Sequence, residues 1–485
     1  MPYLFRLLIV FAKDLFPAAS SSIAMSLGDK ERDHARPLEE KTSKSREFHR
    51  RASNVTPLGV ESNVRSFDPY PFYLEETDGS YIYDMDDNEY LDFLLALGPI
   101  ILGHGHPEVK DAVKRQVEKS DLTATPQPVA IEFMEKVCEM VPSIESVRMA
   151  NSGTEATMHA LRVARSYTGK EKIAKPEGGY AGAHDYALQS VYASEEALGP
   201  EEEPNTVSYG TGIPDAVSET VVAFPFNDKE ATERILRKHA DDMAAVIIEP
   251  VMFSCGCLKP RDGYHEFLRD LTEELDIVLI WDEVMTGFRL GPQSAQGRFG
   301  VTPDMTTFAK AAGAGYQVAG FGGRRDIMEE IIPPKKKEAS KWNSSAFHGG
   351  TYNGHPVAAA AGLKTLEILD ERDVYEHIDR LGDRLFSGLQ EVADDAGLAV
   401  NVEHIGSMGQ VYMTDHDIHS YRDTWHANTD QFADWWLEAA ADGVLFGNPL
   451  QGERFFTTYT HTDEQIDHAL EVAEDAFRAV DHQYE

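Results

Sequence analysis

The stretch IVLIWDE, residues 277–283, decides the fold of this chain of 485 residues. Five apolar residues, several of them β-branched, are followed at once by two acidic residues. The run AAVII at residues 244–248 has the same apolar character. Strands that are apolar throughout are buried on both faces, as in a parallel sheet covered by helices. Because amphipathic segments such as residues 263–275 lie between such runs, the sequence predicts an α/β fold with a largely parallel sheet.

Shorter strands are predicted on both sides of this region. Between residues 73 and 93, short runs alternate with turn residues, which is typical of a small antiparallel unit. After Val374, helices alternate with short strands, and a capping box at residues 462–465 opens the last helix. We therefore predict four segments: an N-terminal extension at 1–44, two parts of a smaller α+β domain at 45–107 and 351–485, and a large domain at 108–350.

The composition excludes several classes of function. The chain has 82 acidic and 45 basic residues, a formal charge of −37, which disfavours binding to nucleic acid or to an anionic membrane. An acidic coat of this kind is tolerated where salt screens the self-repulsion. Hydrophobic residues make up 42% of the chain, which is too many for a disordered protein. Three cysteines are too few for a disulfide framework or a zinc site, so we expect no metal and a reducing, cytoplasmic location.

The N-terminus has an apolar stretch at residues 4–16 that is too short to span a bilayer. It has weak features of a signal peptide, and Met25 is an alternative start of translation. The rest of the sequence has no apolar run long enough for a membrane helix, so we expect no membrane segment.

Four segments are candidates for one ligand site, because ligands of α/β proteins bind outside the carboxyl ends of the strands. NSGTEA at residues 151–156 opens a helix and is interpreted either as a phosphate-binding N-terminus or as an ordinary cap. Asp282 ends a strand and could hold a protonated pyridine nitrogen. Lys310 ends the apolar run 305–309, where burial would lower its pKa and make it a nucleophile. The loop GGTYNGHP, residues 349–356, could present further donors to a phosphate.

Taken together, these motifs resemble the class III, fold-type I pyridoxal 5′-phosphate (PLP) aminotransferases, within them the group similar to glutamate-1-semialdehyde 2,1-aminomutase. Besides the four segments, the resemblance rests on further motifs, from about Pro57 onward: GVESNVR at 59–65, LGHGHP at 102–107, EPV at 249–251, DEVMTGFR at 282–289 and FGG at 321–323. It implies a mainly parallel, seven-stranded sheet between helices, with a smaller α+β domain built from the N- and C-terminal segments. It also implies PLP as cofactor, small amino and oxo acids as substrates, and a homodimer with the active site at the interface.

The resemblance also implies a role for each matching residue. Lys310 is the lysine that binds PLP covalently and moves protons, and Asp282 pairs with the pyridine nitrogen. The remaining residues are implied to hold the phosphate (Ser152, Gly153, Thr154), to stack on the ring (Tyr180), to lie near the cofactor edge (Glu249), to reach the phosphate across the dimer interface (Thr351) and to bind the substrate carboxylate (Arg65, with Glu453 nearby).

Some positions depart from the aminomutase pattern. Leu97 stands where the aminomutases have tryptophan, Ala181 where they have histidine, and Ser254 where they have asparagine. These smaller side chains favour a transaminase with an enlarged pocket over an aminomutase, although GTGIP at residues 210–214 resembles the mobile segment of the aminomutases. Arg454 is a possible second carboxylate contact, but we expect it at the surface.

Two other classes of function are less consistent with the sequence, a nicotinamide oxidoreductase and a non-catalytic protein of the same fold. The segment GAG at residues 313–315 is similar to a dinucleotide-binding loop, but it lacks the third glycine and no clear helix follows. A non-catalytic protein of the same fold would be expected to lose Lys310 or Asp282, and both are present.

Overall fold

The computed structural model describes residues 33–332, 345–447, 449 and 454–480. The apolar N-terminal stretch and the predicted substrate residue Glu453 lie outside these residues. The strands are β1 Leu74–Asp78, β2 Tyr81–Asp84, β3 Glu89–Asp92, β4 Ser146–Ala150, β5 Lys172–Pro176, β6 Val221–Phe224, β7 Met243–Ile248, β8 Val278–Glu283, β9 Met305–Phe308, β10 Ala319–Gly323, β11 Asn401–Ile405, β12 Met408–Tyr412, β13 Val444–Leu445 and β14 Arg454–Phe456.

The helices surround and connect these strands. They are α1 Arg36–Lys41, α2 Ser43–Ala52, α3 Pro107–Lys119, α4 Pro128–Met140, α5 Gly153–Thr168, α6 Glu195–Leu198, α7 Asp215–Ser218, α8 Lys229–His239, α9 Tyr264–Glu274, α10 Ser294–Phe299, α11 Arg325–Met328, α12 Pro356–Glu371, α13 Val374–Ala396, α14 Thr429–Ala441 and α15 Asp463–Val480. None of the helices in the described ranges combines the length and the apolar character that a membrane crossing requires.

The large sheet has seven strands in the order β4-β10-β9-β8-β7-β5-β6. The neighbours from β9 to β6 all pair in parallel, whereas β10 runs antiparallel to both β9 and β4. Every residue of β7 and β8 is buried, because helices cover both faces of the sheet. The prediction of an α/β fold with a mainly parallel sheet is therefore confirmed.

The antiparallel strand β10 has the sequence AGFGG, and its glycines allow close packing. A Cβ atom at Gly320 would lie 2.5 Å from the ring of Phe308 on the neighbouring strand β9. A larger residue would therefore push β10 away from β9 or displace the buried ring. Small residues here keep the end of β9, and with it Lys310, close to the rest of the sheet.

The N- and C-terminal parts of the chain share a second, four-stranded sheet. The strands β1, β2 and β3 form the predicted antiparallel unit, and β13 adds to β3 in parallel. A third sheet, β11-β12-β14, completes the C-terminal part. The smaller unit is thus α+β, as predicted, while the four segment boundaries stay predictions.

The capping box before α15 is formed as predicted. The backbone N–H of Thr462 donates to the Gln465 side chain at 3.0 Å, and the Gln465 N–H donates to Thr462 Oγ1 at 3.3 Å. The inner face of α15 buries Ile466, Ala473 and Phe477.

A buried ion pair connects the C-terminal part to the large sheet. Arg422 donates to both carboxylate oxygens of Glu177, at 2.8 and 2.9 Å, and Glu177 is only 2% exposed. The next residue, Gly178, has a φ of +81°, and a Cβ there would lie 2.3 Å from Tyr421. The segment after β5 is thus held directly against residues 421–422.

We predict that Arg422→Ala lowers the free energy of unfolding by about 3 kcal/mol, because it leaves a buried carboxylate without its partner. The measurement is denaturant unfolding at constant salt. Arg237→Ala is the matched control: Arg237 also binds both oxygens of a glutamate, Glu274, but in solvent, so a much smaller loss is expected. Equal losses in the two variants would contradict this interpretation.

Candidate active site

Three chemically active side chains meet at one edge of the large sheet. Glu249 follows β7, Asp282 lies near the end of β8, and Lys310 follows β9. Because β7, β8 and β9 are parallel neighbours, their carboxyl ends lie side by side. The helix α5 begins after β4, at Ser152–Gly153, in the segment predicted to bind a phosphate.

Asp282 is a buried carboxylate with few hydrogen bonds. It accepts from the Thr307 hydroxyl at 2.9 Å and from the backbone N–H of Val284 at 3.1 Å, and it is 3% exposed. Burial raises the pKa of Asp282 to about 6, although these two donors and the charge of Lys310 act in the opposite direction. A positively charged group that entered this space would favour the ionised form of Asp282.

Lys310 is partly buried and held by the main chain. Its Nζ donates to the backbone oxygen of Leu97 at 3.0 Å, and its own φ is +41°. Burial, followed by the nearby charge of Arg454, lowers the pKa of Lys310 to about 8. The residues after Lys310 form a short 3₁₀ turn that leads to β10, which does not match the strand-loop-helix geometry of a dinucleotide site.

The carbonyl that holds Lys310 belongs to an unusual turn. Leu95, Ala96 and Leu97 have φ values of +47°, +55° and +67°, and Gly98 follows at +106°. Each of the three residues with a side chain costs roughly 1 kcal/mol or more in this region. The surrounding structure therefore imposes the conformation: Arg289 donates to the carbonyl of Gly98 at 2.8 Å.

Glu249 is buried beside Asp282 and is bound by Ser254. The Ser254 hydroxyl donates to Glu249, and the Ser254 N–H lies 3.1 Å from a Glu249 oxygen. Burial and the charge of Asp282 together raise the pKa of Glu249 to about 8. Glu249 is therefore mainly neutral at pH 7, which leaves Asp282 as the anion of the pair.

The start of α5 forms a cap, so one of the two interpretations of this segment is observed directly. Ser152 Oγ accepts from the Glu155 N–H at 3.1 Å, and Thr154 Oγ1 accepts from the Ala183 N–H at 3.0 Å. A Cβ at Gly153 would lie 3.0 Å from Val284, and one at Gly182 would lie 2.9 Å from the Thr154 backbone. The segment is tightly packed, and the phosphate role of residues 152–154 stays a prediction.

A cavity lies between these elements. Its walls include Asp282, Glu249, Tyr180, Ala181 and Lys175. Tyr180 is 38% exposed, and its backbone N–H donates to Ser254 Oγ at 2.8 Å. PLP needs a lysine amine, an anion for its ring nitrogen and donors for its phosphate. The residues present fit this group, because a weakly bound carboxylate, a lysine and a helix N-terminus converge here.

Three predicted residues are not brought into this cluster. Arg65 is exposed and pairs with Glu61 on its own turn, at 3.2 Å. Thr351 is exposed on the loop that precedes α12. Glu453 is outside the described residues. The roles of all three stay predictions.

Two buried basic side chains near the site, Arg454 and Lys175, were not predicted from the sequence. Arg454 is only 8% exposed, so the expectation of a surface residue was wrong; it lies on β14 and donates to the Ser254 carbonyl and to the Tyr192 hydroxyl. Lys175 is 2% exposed and donates to the carbonyls of Gly179 and Gln189 at 2.7 and 2.6 Å. The signal for Lys175 was its position directly after the apolar pair Ile173 and Ala174 of β5. A weaker indication that Arg454 is buried was present in the sequence, namely the two apolar residues that follow it.

Comparison with known proteins gives consistent matches over most of the chain. The family model of the class-III aminotransferases matches residues 63–477. A glutamate-1-semialdehyde 2,1-aminomutase from Methanothermobacter thermautotrophicus is 40% identical over 432 residues, 89% of this chain and 98% of that protein. The crystal structure of an omega-transaminase from Sphaerobacter thermophilus is 30% identical with a TM-score of 0.83, covering 90% of this chain and 98% of that one. A transaminase structure with PLP bound is also 30% identical, with a TM-score of 0.81 and the same coverage.

We predict that Asp282→Asn stabilises the cofactor-free protein in a pH-dependent manner. The folded pKa of Asp282 lies above its ordinary value, so its protonated form contributes stability at low pH that is lost as the pH rises through about 6. Asparagine has no charge to bury at high pH. From pH 4 to pH 8, the unfolding free energy of Asp282→Asn relative to that of the parent protein should rise by about 2 kcal/mol.

Denaturant unfolding of both proteins, without cofactor and at several pH values, is the measurement. A difference that stays constant across this range would show that the burial of Asp282 is not the source of the effect.

Proposed function

We propose a specific reaction for this chain, which belongs to the class-III aminotransferase family. It is a PLP-dependent aminotransferase. It moves an amino group between an amino acid or amino-carboxylate donor and an oxo acid. One observation carries the proposal: Asp282 lines the cavity near the end of β8, and Lys310 follows the neighbouring parallel strand β9, close enough for the two charges to affect each other's pKa. If Asp282 served only in a structural ion pair, neither its small number of hydrogen bonds nor the cavity beside it would be expected.

The proposed roles follow from the position of each residue. PLP, when bound, supplies an electron sink for the negative charge that forms at the substrate carbon. Asp282 holds the ring nitrogen, and Ser152, Gly153 and Thr154 hold the phosphate with the free N–H groups of α5. Tyr180 covers the ring from the cavity wall.

Lys310 is the group that binds the cofactor covalently and carries protons. With a pKa near 8, a useful fraction of its amine is neutral at physiological pH and can accept a proton. The Leu97 carbonyl accepts a hydrogen bond from this amine and so limits the directions in which it points. Glu249, being neutral, adds no second negative charge beside Asp282.

A homodimer is the proposed assembly, with Thr351 donating to the phosphate in the partner subunit. The loop around Thr351 supports this, because Phe347 and Tyr352 are 73% and 61% exposed. Large apolar side chains exposed together are typical of a surface that another chain covers. Arg65 and Glu453 keep the proposed carboxylate role. The free thiols of the three cysteines agree with a proposed cytoplasmic location.

The residues on the pocket wall support transamination over intramolecular amino transfer. Ala181 is a buried residue of the cavity wall and contributes only a methyl group there. Outside that wall, Ser254 is occupied by Glu249, and the carbonyl of Leu97 accepts from Lys310. An aminomutase must retain its intermediate, whereas a transaminase must release an oxo product and admit a second substrate. Small wall residues are better suited to the second requirement.

A glutamate-1-semialdehyde 2,1-aminomutase, which makes 5-aminolevulinate for tetrapyrrole synthesis, is the second candidate. Two observations favour it: relatives about 40% identical carry that name, and residues 210–214 form an exposed glycine-rich segment. Gly210 and Gly212 both have a φ of +94° and no neighbour within 4 Å of an added Cβ. Such a segment is free to move over a site, as retention of an intermediate would require.

We predict that Lys310→Ala abolishes the near-visible absorbance band of lysine-bound PLP, because no other amine replaces it. Lys175→Met is the matched control: Lys175 lines the same cavity, but its amine is occupied by backbone carbonyls, so the band should remain. Absorbance spectra of the purified proteins with added PLP are the measurement. If Lys310→Ala gives the same band as the parent protein, the assignment of Lys310 is wrong.

We predict that the parent protein does not convert glutamate-1-semialdehyde to 5-aminolevulinate in the absence of an added oxo acid. Its PLP band should instead move to shorter wavelength with an amino donor and return when an oxo acid is supplied. Product analysis together with these spectra, at high salt, is the measurement. Formation of 5-aminolevulinate without an oxo acid would establish the aminomutase instead.

A further inference from the structure

The pair of Asp92 and His104 lies outside the cavity wall, and its hydrogen bonds lead to the turn at residues 95–98. Asp92 ends β3, and its Oδ1 accepts from the backbone N–H groups of Leu94 and Leu95, both at 2.9 Å. His104 Nε2 donates to the other oxygen, Oδ2, at 2.8 Å. Asp92 is 2% exposed, so these bonds are largely shielded from water. One carboxylate therefore holds the entry to the turn.

His104 is itself anchored to the four-stranded sheet. Its backbone exchanges two hydrogen bonds with Gly79, in the turn between β1 and β2, at 2.7 and 3.0 Å. It belongs to the motif LGHGHP at residues 102–107, for which the resemblance implied no individual role. The His104 ring therefore joins the carboxylate of Asp92 to a second part of this sheet.

The turn that Asp92 holds contacts the reactive lysine at two points. The Leu97 carbonyl accepts from Lys310 Nζ at 3.0 Å. A Cβ atom at Gly98 would lie 3.8 Å from Lys310 Cδ, so the backbone there also packs against the aliphatic part of this side chain. Because residues 95–97 all have a positive φ, the turn would relax without bonds that impose it. Loss of Asp92 would therefore shift the Leu97 carbonyl.

Arg289 holds only the other end of the turn. It donates to the Gly98 carbonyl at 2.8 Å. The N–H groups of residues 94 and 95, at the entry, bind Asp92 instead. Since the Leu97 carbonyl lies between the two ends, its position depends on both.

We propose that Asp92 and His104 are positioning residues for the proton transfer that Lys310 performs. When the Lys310 amine is free, it must accept a proton from the substrate carbon, while the electron pair of the broken C–H bond stays with the substrate and its cofactor. The Leu97 carbonyl, as a fixed acceptor, keeps the amine in the orientation that this transfer requires. The inference rests on the proposed aminotransferase function, and neither Asp92 nor His104 is part of the cavity wall.

The test compares Asp92→Ala with Asp84→Ala, a closely matched control. Asp84 ends the neighbouring strand β2, is also 2% exposed, and also accepts from two backbone N–H groups at 2.9 Å, in the turn that follows it. That turn connects β2 to β3 and does not contact Lys310. Both variants should lose comparable stability, but only Asp92→Ala should disturb the lysine.

The first measurement is the half-reaction of the PLP-loaded enzyme with an amino donor, chosen from L-alanine, L-glutamate and 4-aminobutyrate. In Asp92→Ala the limiting rate at saturating donor should fall roughly tenfold to a hundredfold, while the half-saturating concentration changes less than about threefold. The rate difference between the donor and its α-deuterated form should increase, because proton transfer becomes slower. Asp84→Ala should resemble the parent protein in all three respects.

Two further variants separate the hydrogen bonds from the charge. Asp92→Asn keeps an oxygen for both N–H groups, and its amide can donate to His104 in the other tautomer of the ring. It should recover most of the rate that Asp92→Ala loses. His104→Phe removes only the ring donor, so an intermediate loss is expected. Its matched control is Tyr90→Phe, because the Tyr90 hydroxyl donates to Asp84 at 2.9 Å as His104 does to Asp92.

A second measurement follows the turn in the protein without cofactor. Amide hydrogen exchange of residues 94 and 95, determined by mass spectrometry, should become faster in Asp92→Ala and His104→Phe. It should stay unchanged in Asp84→Ala and Tyr90→Phe.

A third measurement reports on the lysine itself and does not require turnover. The rate at which added PLP forms its band with the cofactor-free protein rises as the Lys310 amine loses its proton. The Leu97 carbonyl favours the charged amine, so in Asp92→Ala the midpoint of this pH profile should move down by about half a unit to one unit. Asp84→Ala should keep the midpoint of the parent protein.

Equal losses of limiting rate in Asp92→Ala and Asp84→Ala would overturn the positioning role. So would a loss confined to the half-saturating concentration, or an Asp92→Asn variant as slow as Asp92→Ala. A parent protein that shows the PLP band but responds to no donor would instead contradict the aminotransferase function. Even then, unchanged hydrogen exchange and an unchanged pH profile in Asp92→Ala would show separately that this pair does not position Lys310.

Discussion

The burial of Asp282 at the end of β8 is the constraint on which the rest of the site depends. A carboxylate removed from water, with only two hydrogen bonds, is unfavourable as an anion unless a cation comes to it. The protein does not supply that cation through an ion pair among the described residues, and Glu249 beside it becomes neutral for the same reason. The fold therefore carries an unfavourable group that a positively charged ring would stabilise, which is the usual relation between stability and function at a binding site.

The elements around the cavity are held by contacts that run between distant parts of the chain. Arg422 binds Glu177 after β5, and Arg289 connects the turn at residues 95–98 to the C-terminal segment. These contacts impose backbone conformations that are locally unfavourable, such as the consecutive positive φ values before Gly98. Precise placement of the Leu97 carbonyl against Lys310 is the result, and it depends on tertiary packing, not on local preference.

The charged groups of the site are buried and differ in this from the acidic surface. The chain as a whole carries a formal charge of −37, whereas the basic residues near the site are Lys175 and Arg454, which are buried, and Lys310, which is partly buried. Water and salt screen the acidic surface, but they do not screen the interior. The local field at the cavity is therefore set by a few buried basic and acidic groups, Asp282 among them, and not by the net charge of the surface.

The sequence by itself determined the α/β architecture, because the continuous apolar runs of β7 and β8 are typical of strands in a sheet that helices cover on both faces. It also determined that Asp282 and Lys310 lie at the same edge, since both follow parallel strands. Only the tertiary structure decided the burial of Arg454 and Lys175 and the exposure of Arg65. The surroundings of these residues come from β14, from the loops after β5 and β7, and from the turn at residue 61. A local sequence pattern does not show which distant segments pack together.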